Sequence, residues 1–492
     1  MTMQRARGET LNPQALAGLR VAVIGAAREG TALVRYLTRQ GAQVTLSDSK
    51  PAEALEKTLA ALQGLDVRLA LGGNPPDLLD VDLLFLSPGV PPTAAIVRQA
   101  RERGVPISSE PRLFTQLCAA SVVGITGSSG KSTTTALTGC MCAADGRQVW
   151  VGGNIGVPLL ERLLDDAAPD VAVMELSSFQ LELFSPDYQG DTVDATRSAA
   201  SHAVSVEGWS PPVAAITNIT PNHLDRHPSM DDYIRAKMHI LNYQGAEDWA
   251  VLNRDNEVTR RLLDVVRGKA LQFSLDEPVD EGAFLRGDAL ILRLNGRERA
   301  VCRTDELLLR GRHNIANTLT AICLAAAVGV APEAMREAAI TFPGVPHRLE
   351  VVRERDGVLW VNDSIATSPE RAIAALRAFS EPLILLAGGR DKHLSWDEWA
   401  DLALERTRAV VAFGEAVPII RQALEGARER AGVAKNSFAI YEVATLDDAV
   451  SKAATLAHPG DVVLLSPGGT SFDAFVDFEA RGERFRDLVA AL

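Results

Sequence analysis

Residues 122–135 read VVGITGSSGKSTTT. A run of apolar residues gives way to a loop of small ones, and Lys131, Ser132 and Thr133 then open a helix. That order builds a phosphate cradle. Glycines let backbone N–H groups turn inward on a phosphate, and the helix N-terminus adds its dipole. Gly127, Ser128, Ser129 and Gly130 form the cradle. Lys131 can reach the outer phosphates, and the Ser132 hydroxyl suits Mg²⁺. The strict pattern requires a glycine where this chain has Ile125, so the loop is a variant.

A chain of 492 residues makes two to four domains, and a hydrophobic content of 47% allows each a full core. The net charge of −13 argues against a nucleic-acid or anionic-membrane partner, while leaving room for a local basic pocket. Five scattered cysteines suggest neither a disulfide framework nor a zinc site, which fits a reducing cytoplasm. Cys140 and Cys142 read as core fillers. The first residues lack the apolar core of a signal peptide, and the apolar run 321–331 is too short to span a bilayer. A soluble, cytoplasmic protein is expected.

Residues 20–25 read as a buried parallel strand, followed by a Gly25–Gly30 turn and a helix. Further strands at 43–46 and 81–86 end at Asp48-Ser49-Lys50 and Ser87-Pro88-Gly89. This is a doubly wound start, with ligand groups at the carboxyl ends of strands. Ala27 stands where the dinucleotide fingerprint has its middle glycine. Nucleotide binding and a purely structural turn both remain open on this segment alone.

Past the cradle, a strand at 171–174 ends at Glu175-Leu176-Ser177-Ser178. Glu175 reads either as a Mg²⁺ ligand or base, or as a strand-end charge. Residues 186–211 are polar and aperiodic, and an extended surface loop is expected there. A strand at 213–217 runs to His223, a metal ligand or a polar loop residue, and the next helix carries Lys237. Asn314 and Asn317 share one face of a later helix, where they contact a nucleobase or cap the helix. Beyond residue 345, a hairpin turning at Asp356-Gly357 leads into alternating strands and helices. Three strand ends there, at 363–368, 388–392 and 466–472, should converge on one crevice.

Three α/β domains, with a nucleoside triphosphate on the middle one, suit a ligase that activates a carboxylate as an acyl phosphate. At this point the chain resembles the Mur ligases of peptidoglycan synthesis. The resemblance rests on GITGSSGKST (124–133), GNIG (153–156), ELSSFQ (175–180), NHLDR (222–226), Lys237, PHR (346–348) and NDS (362–364), and covers nearly the whole chain in order. ELSSFQL and LSPGGTSFDAF (465–475) point within the family to the branch that adds glutamate to UDP-N-acetylmuramoyl-L-alanine. The alternatives on the same scaffold are a ligase specific for L- rather than D-glutamate and a folylpolyglutamate synthase.

The resemblance implies a Rossmann-like UDP-substrate domain at 1–110, a central ATPase domain with a mostly parallel sheet at 111–344, and a Rossmann-like glutamate domain at 345–492. It implies ATP and two Mg²⁺ ions, with Ser132, Glu175, His223 and Lys237 as ligands, and Lys237 carbamylated by CO₂. Lys131, Glu175, His223 and Lys237 are then catalytic. ATP is implied to meet residues 127–133, Asn314, Arg348 and Asp363. The UDP substrate is implied to meet Arg28, Glu29, Asp48, Ser49, Lys50, Ser87, Gly89, Asn154 and Ser177. Glutamate is implied to meet Lys392, Ser471, Phe472 and Phe478. A monomer with small-molecule substrates is expected. The family often has lysine where this chain has Ile365.

Overall fold

The structure is a computed structural model that describes residues 10–165, 167–189, 204, 208–221, 226–309, 311–392, 394–432 and 438–492. His223 lies outside the described residues. The fold is α/β, with three sheets in three domains.

The first sheet is wholly parallel. It comprises β1 (Arg20–Ile24), β2 (Gln43–Asp48), β3 (Val67–Leu71), β4 (Leu83–Leu86) and β5 (Ile107–Ser108), in the order β3-β2-β1-β4-β5. The chain winds outward from β1 in both directions, so a crevice opens between the ends of β1 and β4. Sequence reading missed β3, whose residues are half exposed, and β5, which is two residues long.

The second sheet has nine strands: β6 (Ser121–Thr126), β7 (Val149–Gly153), β8 (Val171–Glu175), β9 (Val213–Ile216), β10 (Trp249–Asn253), β11 (Lys269–Ser274), β12 (Gly282–Arg286), β13 (Ala289–Leu294) and β14 (Arg297–Arg303). Its order is β14-β13-β12-β11-β10-β9-β6-β8-β7, parallel up to β12 and antiparallel beyond. The cradle strand β6 lies between β8 and β9, which places Glu175 on one side of the cradle and Thr217 on the other. β6 is buried, and a Cβ on Gly124 would stand 2.4 Å from Pro211 Cγ, so no side chain fits there.

The third sheet orders as β15 (Glu350–Arg355), β16 (Val358–Asn362), β20 (Val462–Gly468), β17 (Leu383–Gly388), β18 (Thr407–Phe413) and β19 (Ala439–Val443). β15 and β16 form the expected hairpin, and Asp356 and Gly357 both take positive φ (52° and 74°) as a tight two-residue turn requires. Because β16, β20 and β17 are neighbours, their three terminal loops must lie side by side.

Contacts divide the chain into two compact units. One runs to Glu306 and includes Ala316–Ile340; the other comprises Leu307–Ile315 and Thr341–Leu492. The first unit holds the first two sheets, and the second holds the third.

Two expectations fail. The described part of 186–211 is not a surface loop: Tyr188, Gln189, Val204 and Ser210 are all buried. The Gln189 amide pairs with both backbone groups of Ile107 (2.8 and 2.7 Å), acting as one more strand residue at the β5 edge. Polar residues that satisfy a sheet edge look like loop in a sequence. Cys140 is exposed, whereas Cys142 is buried as expected.

Candidate active site

The helix Lys131–Ala144 begins at Gly130, which is left-handed (φ 80°). A Cβ there would stand 2.3 Å from Asn317 Oδ1, and one on Gly127 (φ 151°) would stand 1.9 Å from Thr217 Oγ1. Both cradle glycines are therefore required by conformation and by close approach. The loop is held from the β9 side. Asn218 Oδ1 accepts from the Ser129 N–H (3.0 Å), Thr217 Oγ1 donates to the Ser129 carbonyl (2.6 Å), and the Ser128 N–H donates to the Asn218 carbonyl (2.9 Å). Ser128 Oγ also meets Tyr233 OH at 3.1 Å.

Two lysines converge on this loop. Lys131 Nζ donates to the Gly127 carbonyl at 3.0 Å, and Lys237 Nζ donates to the same carbonyl at 2.9 Å. Lys237 is 2% exposed, on the last turn of the helix Met230–Met238. Burial, reinforced by the Lys131 charge and opposed by Glu175, holds its pKa well below the ordinary ammonium value.

Glu175 ends β8 and is buried. Asn154 Nδ2 donates to its Oε1 at 2.7 Å, while Oε2 is buried with no hydrogen-bond partner. An unpaired buried carboxylate oxygen is costly unless something else meets it. A cation at that oxygen fits the site. The described residues hold no group of three or more His, Cys, Asp or Glu side chains able to bind a metal. The fit therefore rests on the Glu175 carboxylate and on the Ser132 hydroxyl in the first turn of the cradle helix.

Asn154 also lines a cleft of about 690 Å³ at the β1/β4 crevice. Arg28, Glu29, Asp48, Ser49, Lys50, Ser87 and Gly89 line the same cleft, so eight of the nine residues expected there are brought together. Ser177 is absent from its walls. That hydroxyl is engaged in a capping box with Gln180 at the start of the helix Ser178–Glu182. Asp48 shapes the cleft: its carboxylate accepts from the Ala26 N–H (2.7 Å) and the Lys50 N–H (2.9 Å). Burial, with a contribution from the Glu110 charge, raises the Glu29 pKa, and Gln180 donates to Glu29 Oε1 at 2.6 Å.

In the second unit the three strand-end loops meet as expected. Ser466 Oγ donates to Asp363 Oδ2 (3.0 Å), the Gly468 N–H to the Ala366 carbonyl (2.8 Å), and Arg390 and Thr470 exchange backbone bonds (2.8 Å each). Lys392 Nζ donates to Thr367 Oγ1 at 3.3 Å. Ser471 is buried, Phe472 is 62% exposed, and the Phe478 ring meets His347 edge-on at 6.3 Å. Asp363 is buried, which raises its carboxyl pKa to about 7 although Ser466 and Arg348 oppose the shift. Arg348 sits between His347 (φ 62°) and Leu349 (φ 44°), a conformation unusual for side chains of that size. Asn314 is buried in this unit.

Sequence reasoning left Asn317 open between a base contact and a helix cap, and passed over Arg371 and Arg481. Asn317 touches the cradle glycine; its spacing from Asn314 was a visible signal, but not which of the two faces the cradle. Arg371 Nη1 donates to the Ile365 carbonyl at 3.4 Å, bringing a cation to the loop that lacks the usual lysine; burial, with a contribution from the Arg371 charge, lowers the Lys392 pKa. Arg481 is fully buried and ties Ser364 (3.0 and 2.8 Å) to the Gly469 carbonyl (3.1 Å). Nothing local in the sequence marks it.

Three family descriptions match the chain in order. They are the MurD-like N-terminal domain of Mur ligases over residues 19–109, the Mur ligase middle domain over 125–189 and 194–325, and the Mur ligase glutamate ligase domain over 347–469. The chain belongs to the Mur ligase family. Among curated Mur ligases it is 41% identical to the UDP-N-acetylmuramoylalanine–D-glutamate ligase of Symbiobacterium thermophilum, over 96% of this chain and 98% of that one. It is 38% identical to the enzyme of the same name from Acetivibrio thermocellus, over 96% of each. Two solved Mur-type structures share the fold. The UDP-N-acetylmuramate–alanine ligase of Thermotoga maritima has a TM-score of 0.58 at 18% identity, covering 96% of this chain and 99% of that one. A pseudomurein peptide ligase from Methanothermus fervidus has a TM-score of 0.53 at 17% identity, covering 96% and 100%.

Proposed function

We propose that this Mur ligase joins D-glutamate to UDP-N-acetylmuramoyl-L-alanine, converting ATP to ADP and phosphate, as a cytoplasmic step of peptidoglycan precursor synthesis. The observation that carries the reading is one junction. Lys131, Lys237 and the unpartnered Glu175 oxygen gather at the cradle, and Asn154 connects Glu175 to a cleft of nucleotide-sugar size. No described helix is long and apolar enough to cross a membrane.

In this reading residues 1–110 take the UDP substrate, 111–344 take ATP, and 345–492 take glutamate, in a monomer. The cradle amides and Lys131 hold the triphosphate so that the outer phosphorus faces the substrate carboxylate. A carboxylate oxygen bonds that phosphorus as the bridge to ADP breaks, giving an acyl phosphate. The glutamate nitrogen then bonds the acyl carbon, phosphate departs with the C–O electrons, and the nitrogen loses a proton. Lys392 and Ser471 orient glutamate, with Phe472 and Phe478 beside them, while Arg348, Asp363 and Asn314 contact ATP. Ser132, Glu175, His223 and modified Lys237 would hold two Mg²⁺ ions, which would supply positive charge to the phosphoryl group.

Lys237 is the member of that set whose chemistry must change. Its depressed pKa leaves a free amine that can add to CO₂, releasing a proton and leaving a carbamate. The uncharged amine becomes an anion, and two oxygens appear beside Glu175. Lys237→Ala should be inactive and partly recovered by formate or acetate, and Lys237→Arg should stay inactive. An arginine variant with full activity would show that a positive charge suffices.

A further inference from the structure

Arg226 belongs to the central domain, yet both of its described hydrogen bonds go to the first. Nη1 donates to the Pro88 carbonyl at 3.2 Å and Nη2 to the Val90 carbonyl at 3.1 Å. Its carbon lies 4.3 Å over the Phe179 ring, and that ring stacks on the buried His227 (centroids 5.5 Å apart). His227 in turn meets Ser178 Oγ at 3.0 Å. Glu182 of the central domain stands 4.0 Å away, an ion pair that is too long for a direct hydrogen bond. The guanidinium is thus held over an aromatic face, with two of its donors on one loop.

That loop, 87–90, is a wall of the large cleft. It is a tight turn, closed by the Val90 N–H donating to the Ser87 carbonyl at 3.0 Å. Between the two carbonyls that Arg226 holds lies Gly89, which is exposed and would find nothing within 4 Å of an added Cβ. In a trans peptide the C=O and the following N–H point in opposite directions. Fixing the Pro88 carbonyl on Arg226 therefore turns the Gly89 N–H away from Arg226, and no described hydrogen bond uses that N–H.

We infer that Arg226 is a positioning residue for the nucleotide substrate: it holds the 87–90 turn so that the Gly89 amide is presented as a donor to an acceptor oxygen of the UDP moiety in the cleft. Arg226 itself touches no substrate. The inference rests on the cleft being the nucleotide-sugar site, as in the function proposed above. It differs from a general packing role in one respect. Losing the two carbonyl contacts frees the turn without disturbing the cradle, so the nucleotide suffers and ATP does not.

The test uses the full chain with Arg226→Met, which keeps the stem and removes the donors, and Arg226→Lys, which keeps a charge and fewer donors. Phe179→Leu, which removes the ring under the guanidinium, carries the test if the methionine variant does not fold. Two readouts are taken: the three KM values, and UDP binding to the nucleotide-free enzyme by calorimetry. Expected for Arg226→Met is a rise in KM for the UDP-sugar and in Kd for UDP of roughly tenfold, with KM for ATP unchanged within about twofold. Arg226→Lys should recover part of the loss, and Phe179→Leu should move the same two values less. An unchanged UDP affinity, or three KM values rising together, overturns the inference. A parent enzyme that neither binds UDP nor needs the UDP-sugar for turnover would instead remove the functional reading, and this inference with it.

Discussion

Asp363 shows how far a single side chain departs from what its letter suggests. In the sequence it is an acid at a strand end, ready to be charged. In the fold it is buried, and its carboxyl keeps a proton to about pH 7 against an ordinary value of 3.8. Between these values the folded state binds a proton that the unfolded chain has released, so this residue's contribution to stability falls as pH rises through that window. Asp363→Asn removes the dependence. Melting temperatures taken at about pH 4.5 and about pH 7.5 should show the variant gaining on the parent at the higher pH. A difference independent of pH would mean that Asp363 is already ionised in the fold. Lys131 was legible from the cradle pattern itself, Glu175 stayed open against a strand-end charge, and Lys237 was singled out only by the family resemblance. Arg371 and Arg481 were not legible, because an arginine that serves a loop through backbone carbonyls leaves no spacing to read.

At the level of elements, the strand ends carried the information. The cradle, Glu175 at the end of β8, and the loops after β16, β17 and β20 were all placed by the rule that ligand groups gather at the carboxyl ends of parallel strands. The antiparallel β12–β14 extension was overlooked, although Asn295-Gly296, with φ of 50° and 69°, is a strong two-residue hairpin signal. Its outer strand is mostly exposed, so no run of apolar residues announced it. The cradle helix makes a prediction of its own. A side chain at Gly130 would meet Asn317 and force the helix start out of its left-handed turn, so Gly130→Ala should weaken ATP binding roughly tenfold or more. Gly146 has a similar φ of 84° with open space around it, and Gly146→Ala should leave ATP affinity intact while lowering stability. Equal ATP affinity in both variants would detach Gly130 from the cradle. In the third sheet, Lys392→Ala should raise KM for glutamate roughly tenfold, the low end for a charged hydrogen bond because Arg371 leaves a second cation on the same loops. If KM for ATP rises with it, Lys392 serves ATP instead.

Across the whole molecule, the three sheets repeat one device, and the function follows from what stands at each set of strand ends. The first sheet offers a roomy cleft with an acid, a lysine and turn amides on its wall. The second offers the cradle and its two lysines. The third offers hydroxyls and cations on converging loops. Composition could exclude partner classes, through the charge of −13, but could not choose a substrate. The choice between glutamate enantiomers depends on pocket shape alone, which no motif encodes. ADP release measured with ATP, Mg²⁺ and UDP-N-acetylmuramoyl-L-alanine, with D- or L-glutamate as the added amino acid, tests the account most directly. Rapid release with D-glutamate, little with L-glutamate and none without the nucleotide is the expected result. Release that favours L-glutamate, or that proceeds without the UDP-sugar, would contradict it.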